Sequence, residues 1–452
     1  MFSLGRLFIL AASLASLVSA KSSTGNSVLV VVEPKRQDDF SIFFEGLKEQ
    51  GYELTFRGPR DETPAIIEYD EASFAHVVVL ASETKNFAKD ITPQSLVSLL
   101  SLKTNLILGL SSKQTPLSLL ASEFSLVLPP PGTPLVSYFP KRSDPSTVVP
   151  ITLTNQDASQ ILEQTSKANS PTVFFSGIPQ SLGNNPLLVP ILHAPAESFA
   201  SEIDGGTADS LVDATEKGGE GLWAGSSLGV VTGFQTLNNA RVTWLGGVEL
   251  LTDEYAQKEV SPGVKSANAQ LAKDIAAWTF QESLVLRIDK TEHRRVNSTN
   301  DGTFELYTNN DQLQFDAYVS KYNAKKATWE PYSGLTDMQL EFTMLDPHVR
   351  TALPPVRGVP GKYSVTFRAP DRHGVFKFVI DYKRKGWTAL HSSTTVPIVP
   401  PRHDGYPRFL SAAWPYYAGA ISTSVAFFLF SAIWLAGEVR GPRATGKAGK
   451  AE

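Results

Sequence analysis

The pattern of apolar residues differs between the first and the second part of the chain. In the first half, short continuous apolar runs such as residues 28–32 alternate with segments whose apolar residues recur at helical spacing. A continuous run is typical of a strand buried on both faces. Strands that alternate with helices indicate a parallel, doubly wound sheet. We therefore predict an α/β (amidotransferase-like) region over residues 21–280.

Local signals mark the start of two helices in this region. Asp38 and Asp39 precede Phe40, Phe43 and Phe44, and we expect the two aspartates to cap that helix. Thr92-Pro93 predicts a second start, because threonine accepts a bond from a backbone amide and proline is tolerated in the first turn.

Beyond residue 280 the spacing of apolar residues changes from a helical period to a period of two residues. Leu340, Phe342 and Met344 alternate with polar residues, and similar stretches are separated by glycine-containing turns. Such alternation is typical of antiparallel strands with one buried face. We predict a β-sandwich over residues 281–398 and a proline-rich linker over residues 399–409.

The chain ends with an apolar segment and a basic tail. Residues 410–437 contain no charged residue, and a helix of that length crosses a hydrocarbon core of about 30 Å. Trp414 and Trp434 lie near its ends, where membrane interfaces favour aromatic rings. Residues 438–452 carry basic side chains, which remain in the cytosol. We predict one transmembrane helix with a cytosolic tail.

The N-terminus agrees with this topology. Arg6 precedes a short apolar run, and Val18-Ser19-Ala20 is a small-residue cleavage site. We predict a signal peptide over residues 1–20 and a type I protein whose bulk is lumenal. An uncleaved anchor is the alternative, which the shortness of the run disfavours.

The composition of the chain excludes several kinds of functional site. The chain has no cysteine and a net charge of −4, so cysteine nucleophiles and zinc–cysteine sites are excluded, and nucleic-acid binding is not expected. The seven histidines are scattered, and Val32-Glu33-Pro34 follows the first strand where a dinucleotide needs a glycine-rich turn. We predict no metal, no cofactor and no catalytic residue.

Two sets of residues suggest other functions. Gly225 to Gly229 match the pattern of a hydrolase nucleophile, with Ser227 in the centre. That motif requires a following helix, whereas a strand is predicted here, so a simple turn is the stronger interpretation. Trp223 and Trp387 are candidates for stacking on sugar rings in a carbohydrate-binding module, and core packing is the alternative for each.

Two further predicted sites are of the kinds found in membrane proteins of the secretory pathway. Asn297-Ser298-Thr299 is an acceptor sequence for N-glycosylation. Gly419, Thr423 and Ala426 lie on one face of the apolar helix, where small residues permit close approach of another helix. We predict a glycan on Asn297 and helix packing through that face.

Several motifs carry a resemblance to a known family. They are Asp346-Pro347-His348-Val349-Arg350, Gly361 to Val365, Asn238 to Val242 and the segment PRHDGYPRF over residues 401–409. The chain resembles the non-catalytic, wheat-germ-agglutinin-binding-type (48 kDa-type) subunit of the oligosaccharyltransferase complex, over essentially its whole length.

The resemblance implies a scaffolding role in the endoplasmic-reticulum membrane. The complex transfers a preassembled glycan from dolichyl diphosphate to asparagine of nascent chains, and the resemblance implies that catalysis occurs in a separate, polytopic subunit. The implied partners are other subunits of the complex, membrane lipid, and the nascent polypeptide or dolichol-linked glycan.

The tail departs from the dilysine retrieval signal known in part of the family. Lys450 is third from the end, but Gly449 and Ala448 occupy the positions before it. We therefore expect retention in the reticulum through assembly with partner subunits.

Overall fold

The computed structural model describes residues 21–153, 160–168, 170–201, 223–296, 306–405 and 411–437. These residues form a mixed α/β N-terminal region, a β-rich C-terminal region and one C-terminal apolar helix. The predicted signal peptide, Asn297 and the basic tail lie outside the described residues.

Seventeen strands occur in the described part of the α/β region. They are β1 (Ser27–Val31), β2 (Glu53–Arg57), β3 (Ile67–Glu68), β4 (Glu71–Ala72), β5 (His76–Val79), β6 (Asn105–Gly109), β7 (Leu126–Val127), β8 (Leu135–Val136), β9 (Val149–Thr152), β10 (Thr172–Phe175), β11 (Gln180–Leu182), β12 (Leu188–His193), β13 (Phe199–Ala200), β14 (Leu228–Gln235), β15 (Arg241–Leu245), β16 (Glu259–Ser261) and β17 (Val264–Lys265).

Helices flank these strands. They are α1 (Ser41–Glu49), α2 (Pro93–Ser101), α3 (Pro116–Glu123), α4 (Glu163–Ser166), α5 (Asp253–Gln257) and α6 (Asn268–Thr279), together with 3₁₀ turns at Pro34–Phe40, Gln160–Leu162 and Val248–Leu251.

The main sheet of this region is only partly parallel. Its order is β2-β1-β5-β6-β15-β14-β11-β7, with β12 also paired to β14. The five strands from β2 to β15 are parallel, and the others pair antiparallel. The prediction of a parallel sheet is therefore wrong for β14, β11, β7 and β12. The reason is that β14 and β15 are joined by a tight turn, which only antiparallel neighbours allow.

The two predicted helix caps have different outcomes. The Thr92 hydroxyl accepts from the Ser95 amide at 3.1 Å, which confirms that cap. The cap by Asp38 and Asp39 is wrong, because both lie in the 3₁₀ turn before α1. The carboxylate of Asp253 takes that place and accepts from the amides of Ser41 at 3.2 Å and Ile42 at 2.9 Å.

In the β-rich region, the residues that the structure describes form nine strands. They are β18 (Leu286–Arg295), β19 (Tyr307–Thr308), β20 (Gln312–Asn323), β21 (Thr328–Pro331), β22 (Gln339–Thr343), β23 (Pro347–Ala352), β24 (Lys362–Arg368), β25 (Gly374–Tyr382) and β26 (Leu390–Val399).

These strands form two sheets. One has the order β18-β20-β21 with β24 on β20, and the other has the order β19-β26-β25-β22-β23. Phe315 of the first sheet stacks on Phe378 of the second, with ring centroids 5.0 Å apart. Phe367 of the first sheet and Phe342 of the second make a tilted contact, with ring centroids 5.3 Å apart. Aromatic rings from both sheets therefore fill the space between them.

The last described element is α7 (Trp414–Gly437), which follows 3₁₀ turns at His403–Gly405 and Ser411–Ala413. The stretch Ser411–Gly437 is long and apolar enough to cross a membrane. None of its residues is buried against the rest of the protein. Val399 is the last residue of β26, so the predicted linker begins one residue later.

Candidate functional site at the seam between the two regions

The α/β and β-rich regions meet at a surface that we call the seam. It is formed by residues 235–241 around the β14–β15 turn, residues 278–284 at and beyond the end of α6, and residues 386–389 before β26. The resemblance pointed to residues 238–242 by their identity, and the structure shows that two of them, Asn239 and Arg241, bond across the seam.

Arg241 is the central side chain of the seam. It is fully buried, and its guanidinium donates to the carbonyl oxygens of Trp278 at 2.6 Å and Leu284 at 2.9 Å. It also donates to the Gly386 carbonyl at 3.4 Å. These acceptors are neutral, and burial lowers the pKa of Arg241 to about 9. One cation thereby ties α6, the connection to β18 and the segment before β26 together.

Side-chain amides continue the seam. Asn239 donates to the Ala389 carbonyl at 3.1 Å and accepts from the Ala389 amide at 2.7 Å. The Gln235 amide donates to the Trp387 carbonyl at 2.8 Å. Asn239 holds a positive φ of 72°, which asparagine tolerates better than most residues. The two hydrogen bonds between Asn239 and Ala389 resemble those of a short β-ladder and join the two regions.

A second cluster lies where the predicted mature N-terminus meets both regions. Ser22 donates to the Phe280 carbonyl at 2.6 Å, and its own carbonyl accepts from Tyr322 of β20 at 3.2 Å. Tyr52 donates to the Glu282 carboxylate at 2.6 Å. Burial raises the pKa of Glu282 and the pKa of Tyr52. The first residues after the predicted cleavage site are therefore part of the folded core.

A cleft of about 470 Å³ opens along the seam and takes side chains from both regions. Glu163 lies on the α/β side, and Lys321, Lys325 and Tyr332 lie on the β-rich side. The Lys321 ammonium is 5.5 Å from the Tyr332 ring centroid. Mixed charges beside an aromatic ring suit a polar chain, either peptide or saccharide. Within the described residues, no group of histidine, aspartate and glutamate could hold a metal ion.

The structure tests the two alternative functions directly. Ser227 lies in an exposed turn directly before β14, so a strand follows it and the hydrolase motif is not formed. Trp387 is buried, and its indole donates to Gln160 at 3.0 Å. Trp223 packs against the core. Core packing is therefore the better interpretation of both tryptophans.

The predicted packing face of α7 is exposed in the single chain. Thr423 donates to the Gly419 carbonyl at 2.8 Å, so its hydroxyl donor is already used within the helix. The Thr423 side chain can therefore face a neighbouring helix or lipid without an unpaired donor. Ala426 is on the same face, at a spacing that follows from 3.6 residues per turn. Packing through this face remains a prediction.

The described residues thus form a two-region body followed by one helix that is long and apolar enough to cross a membrane, as in a membrane-anchored protein. The family model "OST48, N-terminal domain" matches residues 19–282, and "OST48 middle domain" matches residues 293–438. The chain belongs to the OST48 family.

Two curated relatives show how far the similarity extends. A protein of Danio rerio, named dolichyl-diphosphooligosaccharide–protein glycosyltransferase 48 kDa subunit, is 30% identical over 96% of this chain and 96% of its own. A protein of Arabidopsis thaliana with the same name is 28% identical over 92% and 94%. A ThuA-like protein from Parabacteroides merdae covers 56% of this chain and 89% of its own at 10% identity, but its TM-score of 0.28 supports no argument.

Proposed function

We propose that the chain is a non-catalytic scaffolding subunit of the oligosaccharyltransferase complex in the endoplasmic-reticulum membrane. One observation carries the proposal: a relative named as the 48 kDa subunit of that transferase matches 96% of both chains. The match is too long to reflect one shared domain. The complex would transfer the glycan from dolichyl diphosphate to asparagine in Asn-x-Ser/Thr of nascent polypeptides.

In this proposal the chemistry belongs to a separate, polytopic subunit, and this chain acts by position. Its two regions are joined through Arg241, Asn239 and the Ser22 cluster, which favours a fixed geometry over independent motion. Such a body could brace partner subunits above the membrane. The seam cleft, with Lys321 and Tyr332, is the surface at which acceptor peptide or glycan would be guided.

The main test is co-purification after solubilisation in a mild detergent. An affinity-tagged full chain should recover the other subunits, including the polytopic one, and the preparation should glycosylate an acceptor peptide. A point variant of the seam that lowers stability should reduce recovery of the whole set. Recovery of the chain as a lone monomer would contradict the proposal.

The finer fold assignments are also proposals. The parallel strands from β2 to β15, with helices in the connections, support a doubly wound α/β domain with an added antiparallel half. The stacking of Phe315 on Phe378 across two sheets supports a β-sandwich for the β-rich region.

We further propose a type I orientation with both regions in the lumen. The predicted signal peptide and the basic tail support it. Treatment of microsomes with an endoglycosidase should increase the mobility of the native chain and leave Asn297→Gln unchanged. A native chain whose mobility does not change would refute the glycan on Asn297, and full digestion by protease outside intact microsomes would refute the orientation.

Within the membrane, we propose that α7 docks against a partner helix through Gly419, Thr423 and Ala426. Gly419→Leu should lower recovery of partner subunits because it fills the approach surface. Ala432→Leu is the matched control, since residue 432 lies on the opposite face of the helix. Equal losses in both variants would remove this face from the interface.

Retention in the reticulum would then follow from assembly, because the tail lacks the paired lysines. When the chain is produced without its partners, it should leave the reticulum. Continued retention of the unassembled chain would contradict this mechanism.

A further inference from the structure

One end of the β-rich region faces the route to the apolar helix. β26 finishes at Val399, and the chain continues through residues 400–410 and the 3₁₀ turn Ser411–Ala413 to α7. Gly374 pairs with Ile398 next to that exit. The β22–β23 turn closes between Thr343 and Pro347, and the Met344 sulfur lies 2.7 Å from where a Cβ on Gly374 would be. We call the turns at 308–311, 344–346 and 369–374, with the adjoining strand ends, the linker end.

The exposed apolar side chains of the β-rich region are concentrated there. Four large apolar residues are exposed among those described between 306 and 399, and three of them lie at the linker end: Leu306 (50% exposed), Leu345 (91%) and Val375 (58%). The fourth, Val359 (45%), precedes β24 at the opposite end, where Lys362 pairs with Tyr318. Leu345 occupies a turn tip and gains nothing there from core packing.

Cationic side chains lie in the same turn, strand and exit segment as this apolar group. Arg372, Lys377 and Arg402 are all exposed, as are the neighbouring carboxylates of Asp371 and Asp404. Long basic side chains beside exposed leucine and valine are the combination that suits a membrane interface, where the stems lie along acyl chains and the charges reach phosphate. The exposed Asp346 next to Leu345 opposes deep insertion, because a carboxylate is costly below the headgroups.

The covalent connection keeps the linker end close to the bilayer. Residues 400–410 reach at most about 40 Å when fully extended, and the turn at His403–Gly405 shortens that reach. A tether of this length gives a high effective concentration, so even a weak surface contact is populated.

We propose that the linker end rests on the bilayer surface, with Leu345, Val375 and Leu306 at the level of the lipid headgroups. This contact orients the extramembrane part on its helix. The inference requires only that α7 spans a bilayer, and it is independent of membership in the transferase complex.

The absence of cysteine in the chain allows a direct test with single labels. The full-length variants Leu345→Cys and Val359→Cys are each labelled with an environment-sensitive fluorophore and reconstituted into vesicles of phosphatidylcholine and phosphatidylserine. Lipids spin-labelled at the headgroup quench the fluorophore from the membrane side, and iodide quenches it from water. Resistance to alkaline extraction shows that α7 is inserted in both samples.

The label at residue 345 should show blue-shifted emission and roughly twofold more lipid quenching than the label at residue 359. Adding Leu345→Asp to a Val375→Cys label should abolish the lipid quenching at residue 375 while insertion is retained. Equal lipid quenching at 345 and 359 would overturn the proposal. Protection of residue 345 from both quenchers would also overturn it, in favour of a protein contact. Because the vesicles contain this chain alone, neither result bears on the co-purification test.

Discussion

The α/β and β-rich regions bury their strands in different ways. In β1 every position from Val28 to Val31 is fully buried and aliphatic. In β25 buried and more exposed positions alternate, and the buried ones include Phe376 and Phe378. A sheet covered on both faces needs apolar side chains throughout, whereas a sheet covered on one face needs them at every second position. The second region consequently concentrates its core in a few large rings.

The largest expected effect tests that concentration. Phe378 contacts Phe315, Phe342 and Phe367, so Phe378→Ala should lower the free energy of unfolding by about 3–5 kcal/mol. Denaturant unfolding of the full chain in detergent, with hydrogen exchange to locate the change, measures it. Leu108→Ala is the matched variant in the α/β region and should cost less, because fewer contacts are removed. A larger cost for Leu108→Ala would reverse the comparison.

The next effect concerns the connection between the regions. Arg241→Met keeps most of the side-chain volume but removes the charged hydrogen bonds to four carbonyls at the seam, so the free energy of unfolding should fall by about 3 kcal/mol. Hydrogen exchange should increase on both sides of the seam, around residues 278–284 and 386–389. Arg287→Met is the control. Arg287 is half exposed and lies over the Trp329 ring, so its loss should cost about 1 kcal/mol or less. Equal costs would show that the seam does not depend on its buried cation.

A smaller expected effect distinguishes capping of α1 by the nearby Asp38 from capping by the distant Asp253. Asp253→Ala removes the carboxylate that accepts from the first amides of α1 and should cost about 1 kcal/mol. Asp38→Ala should have almost no effect, because Asp38 is exposed and lies before the helix. Thermal unfolding of both variants measures the difference. A larger loss of stability for Asp38→Ala than for Asp253→Ala would instead support Asp38 as the cap of α1.

The smallest effect is a pH dependence at the Ser22 cluster. Burial raises the pKa of Glu282, so the folded state binds its proton more tightly than the unfolded state. The resulting stabilisation is present below the unfolded pKa of about 4.3 and is lost as the pH rises through the folded pKa. Glu282→Gln should flatten this decline, as measured by unfolding midpoints across the pH range. An unchanged slope would exclude Glu282 as its source.

The sequence predicted individual elements better than their arrangement. The Thr92 cap was predicted because both partners lie within one turn. The cap of α1 was mispredicted because Asp253 lies about 210 residues further along the chain. The antiparallel half of the first sheet was missed for a similar reason, since apolar runs reveal burial and not strand direction.

The candidate site shows the same limit. The resemblance selected residues 238–242, but no spacing rule indicated that Arg241 would be buried among carbonyls from residues 278, 284 and 386. Trp387 was a candidate for sugar stacking by residue type alone. Its burial against Gln160 depends on contacts between the two regions, which no local pattern contains.

The sequence by itself determined the apolar helix and its charge-free length, the change of apolar period near residue 280, and the family. Each of these depends on local composition or on a linear match. Only the tertiary structure decided the partners of Arg241, the place of Ser22 in the core and the grouping of Leu306, Leu345 and Val375 at one end. The physical reason is that chain folding brings together residues far apart in sequence, and burial, hydrogen bonding and exposure depend on those neighbours.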